Sequence, residues 1–182
     1  MTRIIAGAYG GRRIETPKGD GTRPTSDRVR EAMFSSIESE LGGFDEALRV
    51  LDLFAGSGAL GLEAVSRGAT FAQFVESDQR AATVIKKNLA ALGVSGSVAR
   101  TTADKHVQTD PQAPFGLIFL DPPYALATDK VAALVAALHQ RWAEPDALFV
   151  VERSSRDPFT WPEGVEGLRD KAYGETRVWY GR

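Results

Sequence analysis

The sequence predicts a doubly wound α/β domain: a mostly parallel seven-stranded sheet with helices on both faces, an antiparallel strand pair at its C-terminal end and a short N-terminal β-hairpin extension. Three observations predict it. From Leu48 onward, short apolar runs alternate with stretches of helical period, the pattern of strands covered on both sides. A glycine-rich turn, GSGALG, leaves the first of those runs and enters a helical stretch. The final segment, GLRDKAYGETRVWYG, reads as two strands joined near Gly174.

Each element follows from its local pattern. Residues 3–6 and 12–16 are β-like runs separated by Gly7, Gly10 and Gly11, hence the hairpin, and PKGDGTRP is a loop. Val29, Ala32, Met33, Ile37 and Leu41 fall at helical spacing from about Asp27 to Glu40, with Thr25 or Ser26 as cap and Gly42 as stop. LRVLDLF is a buried strand followed by a helix from Ala59 to Arg67. FAQFVES is a strand followed by a helix from Asp78 to Leu92, closed by Gly93. SVARTT is a weaker strand and FGLIFLD a strongly apolar one. A helix from about Thr128 to Arg141 and the strand ALFVVER complete the alternation. The expected division is a basic hairpin or arm over 1–22 and the main domain over 23–182.

Composition excludes several chemistries. The 182 residues suit one domain. With no cysteine there are no disulfides, thiolate zinc sites, iron–sulfur clusters or thiol nucleophiles, and a cytoplasmic location is the default expectation. His106 and His139 are the only histidines, so no metal is expected, and both read as helix-surface side chains. No window resembles a membrane span, and the start MTRIIAGAYGG lacks the apolar core of a signal peptide. The net charge of −2 hides an asymmetry. Residues 1–30 carry seven basic side chains against three acids, net +4, and the remainder is net −6. A basic arm that meets a polyanion is one reading; a solvated basic surface is the other.

The turn from Asp52 to Gly61 satisfies G-x-G-x-x-G at Gly56, Gly58 and Gly61. By itself the pattern also suits a dinucleotide or a purely structural turn. Asp52 separates the cofactors. A pyrophosphate at a helix N-terminus wants amide donors and no adjacent carboxylate, whereas a cofactor with a cationic end, such as S-adenosylmethionine with its ammonium and sulfonium, is attracted by one. Glu76, at the end of the next strand, is placed to accept both ribose hydroxyls; a solvated strand-end acid is the alternative. Asp104, after the third strand, is placed for an adenine amino group or for a helix cap.

The second constellation, Asp121-Pro122-Pro123-Tyr124, ends the strongly apolar strand. Two prolines make a rigid loop with few N–H groups, so carbonyls and the Asp121 carboxylate face a ligand with little entropy to lose. An exocyclic base amine is a poor nucleophile because its lone pair is delocalised. Acceptors at Asp121 and at the Pro122 carbonyl would bias it toward tetrahedral geometry, and Tyr124 offers a face for an extruded base. Trp142, Trp161 and Trp179 read as packing, and Glu152 as the end of a strand.

DLFAGSGALG and DPPY, in that order on successive strands, resemble the class I S-adenosylmethionine-dependent methyltransferases of exocyclic amines, a Rossmann-like fold. With RIIAGAYGGRRIETP, RPTSDRVREAMFSSI and KAYGETRVWY, the chain is similar over nearly its whole length to the bacterial 16S ribosomal RNA guanine-N2 methyltransferase family known as RsmD. The resemblance implies methylation of guanine 966, in that family's nomenclature, on the small ribosomal subunit or its assembly intermediate. Position by position, it implies S-adenosylmethionine binding by Asp52, Phe54, Gly56, Gly58, Glu76 and Asp104, and catalysis by Asp121, Pro122, Pro123 and Tyr124. Arg3, Arg12, Arg13, Arg23, Arg28 and Arg30 are expected to hold RNA phosphates, and a monomer is expected. The runner-up is an adenine-N6 methyltransferase of DNA or RNA. A nicotinamide dehydrogenase and a non-catalytic RNA-binding scaffold are further readings, and a C5-pyrimidine methyltransferase is disfavoured by the missing cysteine.

Overall fold

The structure, a computed structural model, describes residues 2–18 and 25–182. A short hairpin, β1 (Thr2–Arg3) with β2 (Arg13–Ile14), precedes helix α1 (Asp27–Leu41). The alternating region then runs β3 (Arg49–Asp52), α2 (Ala59–Arg67), β4 (Phe71–Val75), α3 (Gln79–Leu92), β5 (Gly96–Ala99), α4 (Ala103–Val107), β6 (Phe115–Leu120), α5 (Thr128–Arg141) and β7 (Ala143–Ser154). An antiparallel pair, β8 (Gly167–Tyr173) and β9 (Thr176–Gly181), ends the chain. The seven-stranded order is β5-β4-β3-β6-β7-β9-β8, parallel from β5 to β7.

Alternation along the strands divides the core into two layers. Val50, Phe74, Phe119 and Val150 face α1, α2 and α3 together with Met33, Phe34 and Ile85. Leu51, Val75, Ile118 and Val151 face α4 and α5 with Val107, Val131 and Leu138. Every residue of β6 is buried, as a central strand covered on both sides requires. Each such apolar side chain contributes about 1.5–3 kcal/mol of burial. The caps follow the local signals. Ser26 accepts from the Val29 N–H at the start of α1, Gly42 ends that helix at φ 73°, and Asp78 caps α3 through the Ala81 N–H.

Two elements differ from the sequence expectation. The hairpin strands are two residues each rather than four or five, because the chain leaves the ladder to bond with α2. Glu63, buried on α2, accepts from the N–H groups of Ile5 (2.7 Å) and Ala6 (3.1 Å). Ala8 donates to the Ser66 carbonyl. A Cβ at Gly7 would lie 2.0 Å from that carbonyl oxygen, so close approach demands glycine there. Ile4 and Ile14 enter the main core, and Asn88 of α3 holds both backbone groups of Glu15. The N-terminal segment is thus docked along α2 and α3. Strand β7 starts at Ala143, earlier than expected, with a register irregularity opposite Phe115 to Leu117.

Candidate active site

Neighbouring strands β3 and β6 lead to helices on opposite faces of the sheet, so the crevice beyond their carboxyl ends is the switch point at which doubly wound sheets take ligands. The glycine loop leaves β3 there and the DPPY loop leaves β6. Asp52 pairs in register with Phe119, two residues before Asp121, so the two loops emerge side by side.

Backbone bonds draw the glycine loop back onto the sheet. Leu53 donates to the Phe119 carbonyl and Ala55 to that of Val75. Gly56 N–H donates to Glu76 Oε1 at 2.9 Å, and the Asp78 N–H to Glu76 Oε2 at 2.8 Å. Each Glu76 oxygen keeps a free lone-pair direction, which suits a diol. Gly56 sits at φ 58°, where its absent Cβ leaves open space for a ligand. Gly61 has a different reason to be glycine: a Cβ would come within 2.4 Å of the Phe74 ring. Phe54 is half-buried against the α4 and α5 face.

Asp52 is 1% exposed. Its Oδ2 accepts from the Gly61 N–H at 3.1 Å, while Oδ1 is buried without a hydrogen bond from the described residues. Burial pushes its carboxyl up to about 7; the Gly61 N–H opposes this, and the charges of Asp121 and Glu76 reinforce it. A buried carboxylate with an open oxygen suits a ligand that brings a positive charge. That oxygen, the uncrowded space at Gly56 and the diol-compatible Glu76 together fit S-adenosylmethionine. Asp104 lies exposed on the first turn of α4, beyond β5; the cap of that helix is Thr102, so the capping alternative for Asp104 does not hold.

On the β6 side Asp121 is half-buried, Pro122 buried, and Tyr124 45% exposed with its hydroxyl hydrogen-bonded to Thr176 Oγ1 at 2.6 Å. The hairpin tip between β8 and β9 therefore steadies the aromatic ring. Two residues that sequence reasoning missed complete this half. Arg153, 0% exposed, donates to the carbonyls of Leu126 (2.7 Å), Pro123 and Tyr124 (both 3.4 Å), to Thr128 Oγ1 and to Asp157. Glu152, 4% exposed and read from the sequence as a strand end, lies beside Asp121, since Leu120 and Val151 are partners in the β6–β7 register. The two carboxyls lie close enough for a proton to be shared between them. Burial raises both above the ordinary carboxylate range, and the Asp121 charge raises Glu152 further, while the Glu152 contact and the Arg153 charge temper the rise at Asp121 without reversing it. The local signal was the charged pair Glu152-Arg153 ending an otherwise apolar strand, but its meaning depends on register with β6.

The basic residues divide. Arg12, Arg13 and Arg28 are exposed, and Arg3 is exposed while paired to Asp27. Arg12 also donates to the Ala91 carbonyl. Arg30 corrects the expectation of a phosphate contact: it is 1% exposed and bonded to Asp27 and Thr2 beneath the hairpin. Arg23 lies outside the described residues. His106 is a second correction. It is buried, bonds to Gln73 at 2.9 Å and packs at a tilt of 38° against the Trp142 ring, and burial lowers its pKa. Trp142 is buried and Trp161 covers Gly167 and Gly181, both packing roles.

A family described as "Conserved hypothetical protein 95" matches residues 2–182. "Ribosomal RNA small subunit methyltransferase D" of Haemophilus influenzae is 36% identical over 178 residues, covering 94% of this chain and 89% of that protein. The Escherichia coli K12 protein of the same name is 35% identical over 176 residues, covering 95% and 85%. Among solved structures, "Putative methyltransferase yhhF from Escherichia coli" superposes with a TM-score of 0.84 at 33% identity, covering 99% of this chain and 96% of that one. A hypothetical protein of Thermus thermophilus superposes at 0.80 with 27% identity, covering 99% and 98%. With similarity along its whole length, this chain belongs to the Conserved hypothetical protein 95 family, that of the ribosomal RNA small subunit methyltransferase D proteins.

Proposed function

We propose that the protein methylates the exocyclic N2 of one guanine of 16S ribosomal RNA, position 966 in the family's nomenclature, using S-adenosylmethionine. The observation that carries the reading is the adjacency of the glycine loop and the Asp121 loop at the ends of β3 and β6. When bound, S-adenosylmethionine supplies an electrophilic methyl on a cationic sulfonium, which an attacking amine takes while the C–S electron pair stays on sulfur.

The chain's own residues do the rest. Asp52 balances the cationic end of the cofactor, Glu76 accepts from the ribose hydroxyls, and Asp104 faces the adenine amine. Phe54 lines the loop, with Gly56 and Gly58 leaving the backbone accessible. Asp121 and the Pro122 carbonyl accept the N2 hydrogens, turning the lone pair toward the methyl, and Asp121 stabilises the positive charge that grows on nitrogen and takes the surplus proton once the methyl is transferred. Pro123 stiffens the loop. Tyr124, anchored by Thr176, stacks on the base, which has to leave its helix or be unpaired already. Arg3, Arg12, Arg13 and Arg28 hold phosphates without reading sequence. The protein acts as a monomer in the cytoplasm on the small subunit or its assembly intermediate.

The test offers labelled S-adenosylmethionine with naked 16S RNA and with small subunits from cells lacking this enzyme, then identifies the product nucleoside by mass. The expected outcome is one methyl on guanine N2 at position 966. Label on adenine N6 would replace guanine with the runner-up, and no label in either sample would remove the reading.

A further inference from the structure

We propose that Glu152 is a positioning residue whose protonated carboxyl donates a hydrogen bond to Asp121, holding that carboxylate ionised and aimed at the base amine. This rests on the reading of Asp121 as the amine acceptor and assigns a role to a neighbour that never touches the substrate.

Placement argues for it first. Strand β7 lies beside β6, and the register that pairs Leu120 with Val151 sets Glu152 next to Asp121. Glu152 follows Val150 on the face covered by α1 and α2, whereas Arg153 points to the α5 face and holds the carbonyls of the following loop. Asp121 is therefore flanked by a carboxyl on one side of the sheet and a guanidinium on the other. Glu152 is 4% exposed, and its Oε1 receives no hydrogen bond from the described residues. A buried acid with an undonated oxygen is costly as an anion and stable as a neutral acid.

The groups facing Glu152 point the same way. Asp121 from the tip of β6 and Asp52 from β3 are like-charged when ionised, and Tyr180 from β9 is a neutral phenol that brings no cation. Of the buried side chains of α1, Met33, Phe34 and Ile37 are apolar and Arg30 is paired with Asp27. The Arg153 charge favours ionisation of Asp121, so the shared proton rests on Glu152 and the negative charge on Asp121. The pair then carries one charge at neutral pH, enough to stabilise a developing ammonium without two anions repelling each other.

Three measurements test this. In the ligand-free protein, carbon-13 carboxyl shifts should show Glu152 still protonated at neutral pH with Asp121 ionised; Glu152 titrating in the ordinary carboxylate range overturns the proposal. Glu152→Ala should lower kcat by roughly two orders of magnitude with KM for S-adenosylmethionine little changed. It should also move the acid limb of the kcat–pH profile up by about one unit, because Asp121 loses its donor. Glu152→Gln keeps a donor of similar shape and should restore kcat to within about threefold of wild type. A glutamine variant as slow as the alanine one, or an alanine variant with an unmoved acid limb, overturns the proposal. If wild type methylates no RNA, the proposed function falls while the carboxyl titration still decides this inference.

Discussion

The glycine loop after β3 and the proline loop after β6 meet at one crevice, yet opposite chemistry holds them. The glycine loop presents N–H groups, and an acceptor, Glu76, receives the one from Gly56. The proline loop has lost two N–H groups to Pro122 and Pro123 and presents carbonyls, which need a donor. Arg153 supplies it, with five N–H groups in one buried fork. A loop's composition thus dictates the sign of the side chain that anchors it. The glycine side is left tuned for a cation and the proline side for an amine.

The sharpest break in this comparison comes from Asp121→Ala. Turnover should fall by about 10³-fold or more while the dissociation constant for S-adenosylmethionine stays within about threefold, read by single-turnover kinetics and calorimetry. Equal turnover would take Asp121 out of the chemistry and leave the two sides without separate tasks.

Asp52 gives the next largest effect through pH. Its folded-state carboxyl, at about 7, lies above the ordinary 3.8, so the folded protein binds the extra proton. Stability is therefore fullest below the unfolded value and declines as pH rises from about 4 to 7, by on the order of 4 kcal/mol. Asp52→Asn should flatten that decline in thermal melts. It should also weaken S-adenosylmethionine at pH 8 by about tenfold and at pH 6 by less, because only the ionised acid attracts the cation. Cofactor affinity in Asp52→Asn equal to wild type at pH 8 would deny the glycine side its cation preference.

Arg153→Met removes the donor hub while keeping an apolar stem of similar reach. Three loop carbonyls lose this donor and Asp157 keeps only Thr128, for about 3 kcal/mol of stability in denaturant unfolding. Asp157, held low by Thr128 and Arg153, should then titrate closer to an ordinary aspartate. A smaller effect is expected at Gly61→Ala, about 1–3 kcal/mol, because the new methyl must displace the buried Phe74 ring. Gly56→Ala meets no atom within 4 Å but keeps a positive φ, so about 1 kcal/mol of strain should appear with weaker cofactor binding. A Gly61 variant as stable as wild type would show that Phe74 yields freely.

Much of both loops was legible in advance because their instructions are short-range. The glycines, prolines and strand-end acids sit within a few residues of the turn they shape, and the helix caps at Ser26 and Asp78 lie one residue before their helices. The anchors were less legible. Glu76 could be named from its distance to the glycine loop, but Arg153 and Glu152 acquire meaning only when β7 is laid against β6. Arg30 and His106 show the same limit from the other side. Both carry polar groups that propensity assigns to the surface, and both are buried beside a partner from elsewhere in the chain, Thr2 for the Nη2 of Arg30 and Gln73 for the His106 ring.

By itself, then, the amino-acid sequence determined the alternation of strands and helices, the two turns at the switch point and the acids on their tips. Sterics and hydrogen bonds over a few residues decide those features. Tertiary structure alone decided which buried side chains hold the loops, that Glu152 lies buried beside Asp121, and that the basic N-terminal segment lies docked on α2 and α3. Those depend on strand register and on desolvation, quantities that exist only once distant parts of the chain have packed together.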